Sequence, residues 1–76
     1  MNTIEEFSSV TTALEQFIAR ENETIALYER SLHALGDTIV TPVLHQLIDE
    51  KRQQRRTLEA ALEEVNEQFV LDEAII

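Results

Sequence analysis

The sequence predicts an all-α fold: a two-helix antiparallel hairpin, in which two copies dimerise into a four-helix bundle. Three observations carry this expectation. The residues with turn or breaker character in mid-chain are confined to Gly36, Asp37, Thr38, Thr41 and Pro42, and nearly all the rest suits helix. Apolar residues recur at helical spacing on either side of that cluster. The chain has 76 residues and no cysteine, so it can neither bury a large core alone nor staple a small one with disulfides. Oligomerisation with itself is the remedy left. Residues 1–76 therefore form a single helical-hairpin domain.

The first helix is expected over about residues 4–35. Thr3 and Glu6 have the spacing of a capping box, and Thr12 and Glu15 repeat it. The weak helix formers Ser8 to Thr12 lie between, so the helix begins at Ile4 or restarts near Ala13. Gly36 supplies a left-handed C-terminal cap. The second helix starts at Thr38 or at Thr41, where Thr41-Pro42 reads as an N-cap followed by a first-turn proline. It continues to about residue 67. Residues 68–76 form an apolar tail, either packed on a neighbour or disordered, and residues 69–76 offer a surface for a protein partner. A short turn between two long helices makes them antiparallel neighbours.

Fifteen acidic residues face six basic ones, for a net charge of −9. Such a chain repels nucleic acid and anionic lipid. Four of the bases, Lys51, Arg52, Arg55 and Arg56, cluster together, but Asp49, Glu50 and Glu59 interleave with them, as on a solvated, salt-bridged helix face. The first residues lack the basic and apolar regions of a signal peptide, and no apolar run reaches membrane-spanning length. The cytoplasm is the expected location.

On a helical wheel Val10, Leu14, Phe17, Ile18, Ile25, Tyr28, Leu32 and Leu35 form the apolar stripe of helix one, with Glu21 at its centre. In helix two Val40, Val43, Leu44, Leu47, Leu58, Ala61, Leu62, Val65 and Phe69 form the stripe. It is interrupted by Lys51 and Gln54, with Arg55 at its edge. Both interruptions lie at about the same distance from the turn. The sequence thus predicts one buried polar layer holding Glu21, Lys51, Gln54 and Arg55, with the Tyr28 hydroxyl nearby. A buried charge must be paired or metal-bound. A structural pair of Glu21 with Lys51 or Arg55 is favoured over a metal or catalytic layer, because a charged lysine cannot ligate a metal.

Glu21, Tyr28, Gly36-Asp37, Val43-Leu44 and Asp49-Glu50 stand at spacings that resemble the ferritin-like superfamily. The closest likeness is to the short two-helix encapsulated ferritins, and it covers Glu21 to Leu62. The resemblance implies a hairpin that dimerises into a four-helix bundle and assembles further into rings, with iron at the dimer interface. It implies ligands from a first-helix Glu, seven residues before a Tyr, and from a Glu-x-x-His on the second helix. Glu21 matches the first. The second falls on Lys51-Arg52-Gln53-Gln54, so two of three ligands are replaced. The implied protein is a ferritin-like bundle with a degenerate metal site, in a structural or binding role and without an expected cofactor. Glu21 remains the candidate metal ligand, with Glu50 a weaker one should iron bind and the protein act as a ferroxidase or iron store. An acidic helical adaptor for another protein is the third reading.

The remaining candidates are bland. His45 and Asp49 have ligand spacing but point away from the stripe, and His33 sits where it can favour a helix C-terminus. Neither a nucleophile–base arrangement nor a glycine-rich phosphate loop is present.

Overall fold

The computed structural model describes residues 3–75, with side chains from 3 to 71. Met1, Asn2, Ile76 and the side chains of the expected tail from 72 onward lie outside the described residues. Two helices, α1 (Ile4–Leu35) and α2 (Thr41–Ile75), pack against each other. No strand occurs among the described residues, and no helix there is long and apolar enough to cross a membrane.

The first capping site is the one used. Thr3 is extended, and its hydroxyl accepts the Glu6 N–H at 3.0 Å. There is no restart at Ala13. The weak segment stays helical because it packs in the seam, and Thr11 satisfies its hydroxyl within the helix by donating to the carbonyls of Phe7 (2.9 Å) and Ser8 (3.2 Å). With its polar group satisfied locally, Thr11 can be buried in the seam.

The turn is tied by one side chain. The Thr41 hydroxyl accepts the Thr38 N–H at 2.9 Å and donates to the Gly36 carbonyl at 3.1 Å. The first helical bond of α2 runs from Leu44 N–H to Val40 C=O, so Val40 is the N-cap. Thr41 is then the first helical residue and Pro42 the second, where a missing N–H costs nothing. Gly36 closes α1 by donating to Leu32 C=O at 3.1 Å. Its φ of 68° is positive as expected, but its ψ of −155° is extended rather than left-handed helical. That region is open essentially to glycine alone.

Helix α2 runs on to Ile75, past the expected end near residue 67. The segment expected as a tail is held by an aromatic contact within the chain. Phe69 stacks on Phe7, with ring centroids 4.1 Å apart and an interplanar angle of 23°. The contact closes the open end of the hairpin and gives the last turns of α2 the tertiary support that helix propensity alone rarely supplies.

The seam has strict alternating spacing of four and three. Phe7, Thr11, Leu14, Ile18, Glu21, Ile25, Tyr28 and Leu32 of α1 are buried or half-buried. So are Leu44, Ile48, Lys51, Arg55, Leu58, Leu62, Val65 and Phe69 of α2. This is the heptad pattern of a two-helix coiled coil. It corrects the expected stripes. Ile48, at 3% exposure, and Ile25, at 5%, are the buried apolar residues described, and Ile48 was absent from the expected core. Conversely, Val10, Phe17, Leu35, Val40 and Val43 were expected inside and are exposed. The seam lies about half a helical step from the stripe centres, so Val10, Phe17, Val40 and Val43 fall beside it, whereas Leu35 keeps the seam spacing but stands at the last residue of α1, where the seam ends.

The result is long and thin. The principal extents are 58 × 16 × 11 Å and the radius of gyration is 17.2 Å. A compact domain of this length has a radius of about 11 Å.

Substituting Gly36→Ala tests the turn. Nothing lies within 4 Å of the position a Cβ would take, so the cost is conformational alone. Chemical denaturation should show a loss of about 1–2 kcal/mol. An unchanged midpoint would mean that the turn readily adopts another backbone path.

Candidate functional site

Of the expected polar layer, Glu21 and Lys51 meet in the middle of the seam. Lys51 Nζ stands 3.5 Å from Glu21 Oε2, with the two side chains 29% and 18% exposed. Glu21 Oε2 itself is shut off from solvent and receives no hydrogen bond, so the ammonium balances its charge without being aligned to donate to it. The ammonium donates instead to Gln54 Oε1 at 3.2 Å. Glu21 and Lys51 are seam positions on facing helices, which is why the fold brings them together. The cross-helix pairing expected for Glu21 is therefore made with Lys51.

Arg55 does not join them. Its guanidinium donates to Asn22 Oδ1 at 2.8 Å and lies 3.9 Å from Glu59. In an antiparallel coiled coil the two seam positions of each heptad lean to opposite sides. Lys51 leans toward Gln54, whereas Arg55 leans toward Asn22 and Glu59. On that second side Arg52 also pairs with Glu29 at 3.2 Å. Gln54 departs from the expected burial. It is exposed, because it flanks the seam between Lys51 and Arg55. Tyr28 is half-buried two turns from Glu21, and its hydroxyl makes no hydrogen bond with a described residue.

The structure does not assemble the ligand set that the resemblance implies. Glu50 is exposed and accepts from Gln46 Nε2 at 3.1 Å, away from Glu21. His45 and Asp49 are exposed on α2, and His33 is exposed near the end of α1. Among the described residues no group of three or more histidine or acidic side chains is placed to hold a metal ion. Within one chain the donor set does not fit iron, since Glu21 meets an ammonium where a second carboxylate would be needed.

Sequence reasoning missed Phe7, Thr11 and Ile48. The signal was present: extending the four–three spacing from Leu14 and Ile18 reaches Thr11 and Phe7, and extending it from Leu44 reaches Ile48. Comparison with protein-family models, curated proteins and solved structures finds no match to this chain.

The layer makes a specific energetic demand. Exposed ion pairs contribute up to about 1 kcal/mol, whereas breaking a buried one costs about 3–5 kcal/mol. The Glu21–Lys51 pair lies between these limits, so Lys51→Ala should destabilise by about 1–2 kcal/mol in a urea melt. The double substitution Glu21→Leu with Lys51→Leu should cost less than Lys51→Ala, because no carboxylate is left uncompensated. A parent-like melt for Lys51→Ala would show that the pair contributes nothing.

Proposed function

We propose that this chain is a ferritin-like helical-bundle protein whose metal site has degenerated, acting in a structural or binding role as a homo-oligomer. The observation that carries the reading is the Lys51 ammonium against the Glu21 carboxylate. It stands in mid-seam, on facing helices, where a ferritin-like bundle gathers its metal-binding carboxylates. A lysine there replaces the metal's charge with a fixed one. It relieves the carboxylate of the need for a cation and leaves the layer with a register-setting role.

An iron-binding ferroxidase or iron store would need Glu21 to recruit Glu50 or residues of another copy, against the charge of Lys51. An acidic adaptor is favoured by one feature. Val70 and Leu71 are exposed beside Glu63 and Glu67, giving an apolar patch with an acidic rim at the end of α2. Loss of a captured partner on removing residues 69–76 would support that reading.

The degenerate-site reading predicts that the parent binds ferrous or cobalt ion weakly and has little ferroxidase activity. Lys51→Glu together with Gln54→His rebuilds Glu-x-x-His opposite Glu21, with carboxylate and imidazole chemistry suited to iron. The metal-free variant should be less stable than the parent and should recover stability on adding metal. Titration calorimetry on both proteins reads the difference. Tight metal binding by the parent would overturn the degenerate-site reading. A folded, oligomeric variant that binds no metal would show that these positions do not converge.

A further inference from the structure

The two broad faces of the hairpin are unlike each other. One carries the Arg52–Glu29 ion pair and the Arg55–Asn22 hydrogen bond, and the residues flanking the seam on that side, such as Ser8, Glu15, Glu59 and Asn66, are polar and exposed. Heptad spacing puts a different set on the opposite face. Val10 and Phe17 of α1 share it with Leu47 and Ala61 of α2, because equivalent flanking positions of antiparallel helices lie on one side. Phe17 is 53% exposed there. The Glu21–Lys51–Gln54 group lies midway along this same face, since Lys51 leans to the side of Gln54.

Three quantities point to what covers it. The accessible surface is 5698 Å². A folded monomer of 8.7 kDa exposes roughly 4,700 Å². The excess of about 1,000 Å² matches what each partner contributes to a stable interface, about 800 Å². The face itself, 58 Å by 16 Å in outline, is large enough to supply that area. Finally, its mid-seam charges oppose one another, one carboxylate and one ammonium, although the chain as a whole carries −9. Two copies of a strongly acidic chain can therefore meet on this face without bringing unbalanced mid-seam charges together, and another acidic surface gains nothing by docking there.

We propose that a second copy of this chain covers the Val10–Phe17–Leu47–Ala61 face, with the two polar layers superposed. The inference rests on the homo-oligomer reading above and specifies its interface. Superposition puts the second copy's Lys51 and Gln54 donors within reach of the Glu21 carboxylate. The Glu21 side chain, 18% exposed, meets those donors with its open part, while Oε2 stays enclosed within its own chain. The pairing makes four charges alternate in sign within one layer. It penalises any slip that would set the ions against leucine and phenylalanine.

The experiment uses the full chain, which lacks cysteine and so takes single reporters cleanly. Light scattering on the parent should give the mass of a dimer or of a multiple of it. Phe17→Glu should shift the mass toward monomer, whereas Ala19→Glu, exposed on the opposite side of α1, should not. Ala61→Cys and Ala19→Cys are then labelled with a maleimide at nanomolar and at high micromolar protein. At high concentration labelling of Ala61→Cys should slow by about tenfold or more through burial by mass action, while Ala19→Cys should react equally fast at both. A monomeric parent would overturn both the homo-oligomer reading and this interface. A dimeric parent with Ala19→Cys protected and Ala61→Cys not would overturn the interface alone, as would a Phe17→Glu protein that keeps the parent's mass.

Discussion

Two helices meeting along one line can bury only that line. The seam of this hairpin is continuous from Phe7 and Phe69 at one end to Leu32 and Leu44 at the other, yet among the described residues no side chain is completely enclosed. A domain normally needs a second layer of structure before its core closes. Everything else about the molecule follows from that missing layer: its length relative to its mass, its excess surface and its one apolar face.

The polar layer belongs to the same problem. A bundle whose seams are wholly apolar slides easily between registers that bury similar area. A carboxylate and an ammonium halfway along allow few of those registers, at some cost in stability. Glu21 and Lys51 are placed where such a device works best, far from the turn and from the aromatic clasp that already fix the two ends. The chemistry of the layer is then that of a lock. Glu50, His33 and His45 face solvent and add nothing to it.

Much of this was legible in the amino-acid order, and the misses have identifiable causes. The hairpin, the start of α1 at Thr3, the turn at Gly36 and the Glu21–Lys51 encounter follow from local signals that tertiary packing reinforces. The seam itself was displaced. The expected stripe follows the richest run of apolar residues, and those residues serve two surfaces at once, the seam and the open face. Phe17 and Val43 read as core because they are apolar, whereas Thr11 does not because it is polar. A strict heptad count separates the two sets. The end of α2 differs from the expected one for another reason: the contact that holds it, Phe69 on Phe7, joins residues far apart in the chain and leaves no local trace. Gln54 shows the converse error, a flanking residue taken for a seam residue because it is three positions from Lys51.

On the interface proposed above, this hairpin becomes a stable fold only by sharing its open face with a second copy. The thermal midpoint as a function of protein concentration reports on this, because folding coupled to association must depend on mass action. With an unfolding enthalpy of about 0.7 kcal/mol per residue, a hundredfold dilution should lower the midpoint by about 10 °C, with helix content and mass falling together. A midpoint that stays constant across that range, in a protein of monomeric mass, would mean that the hairpin folds without a second copy.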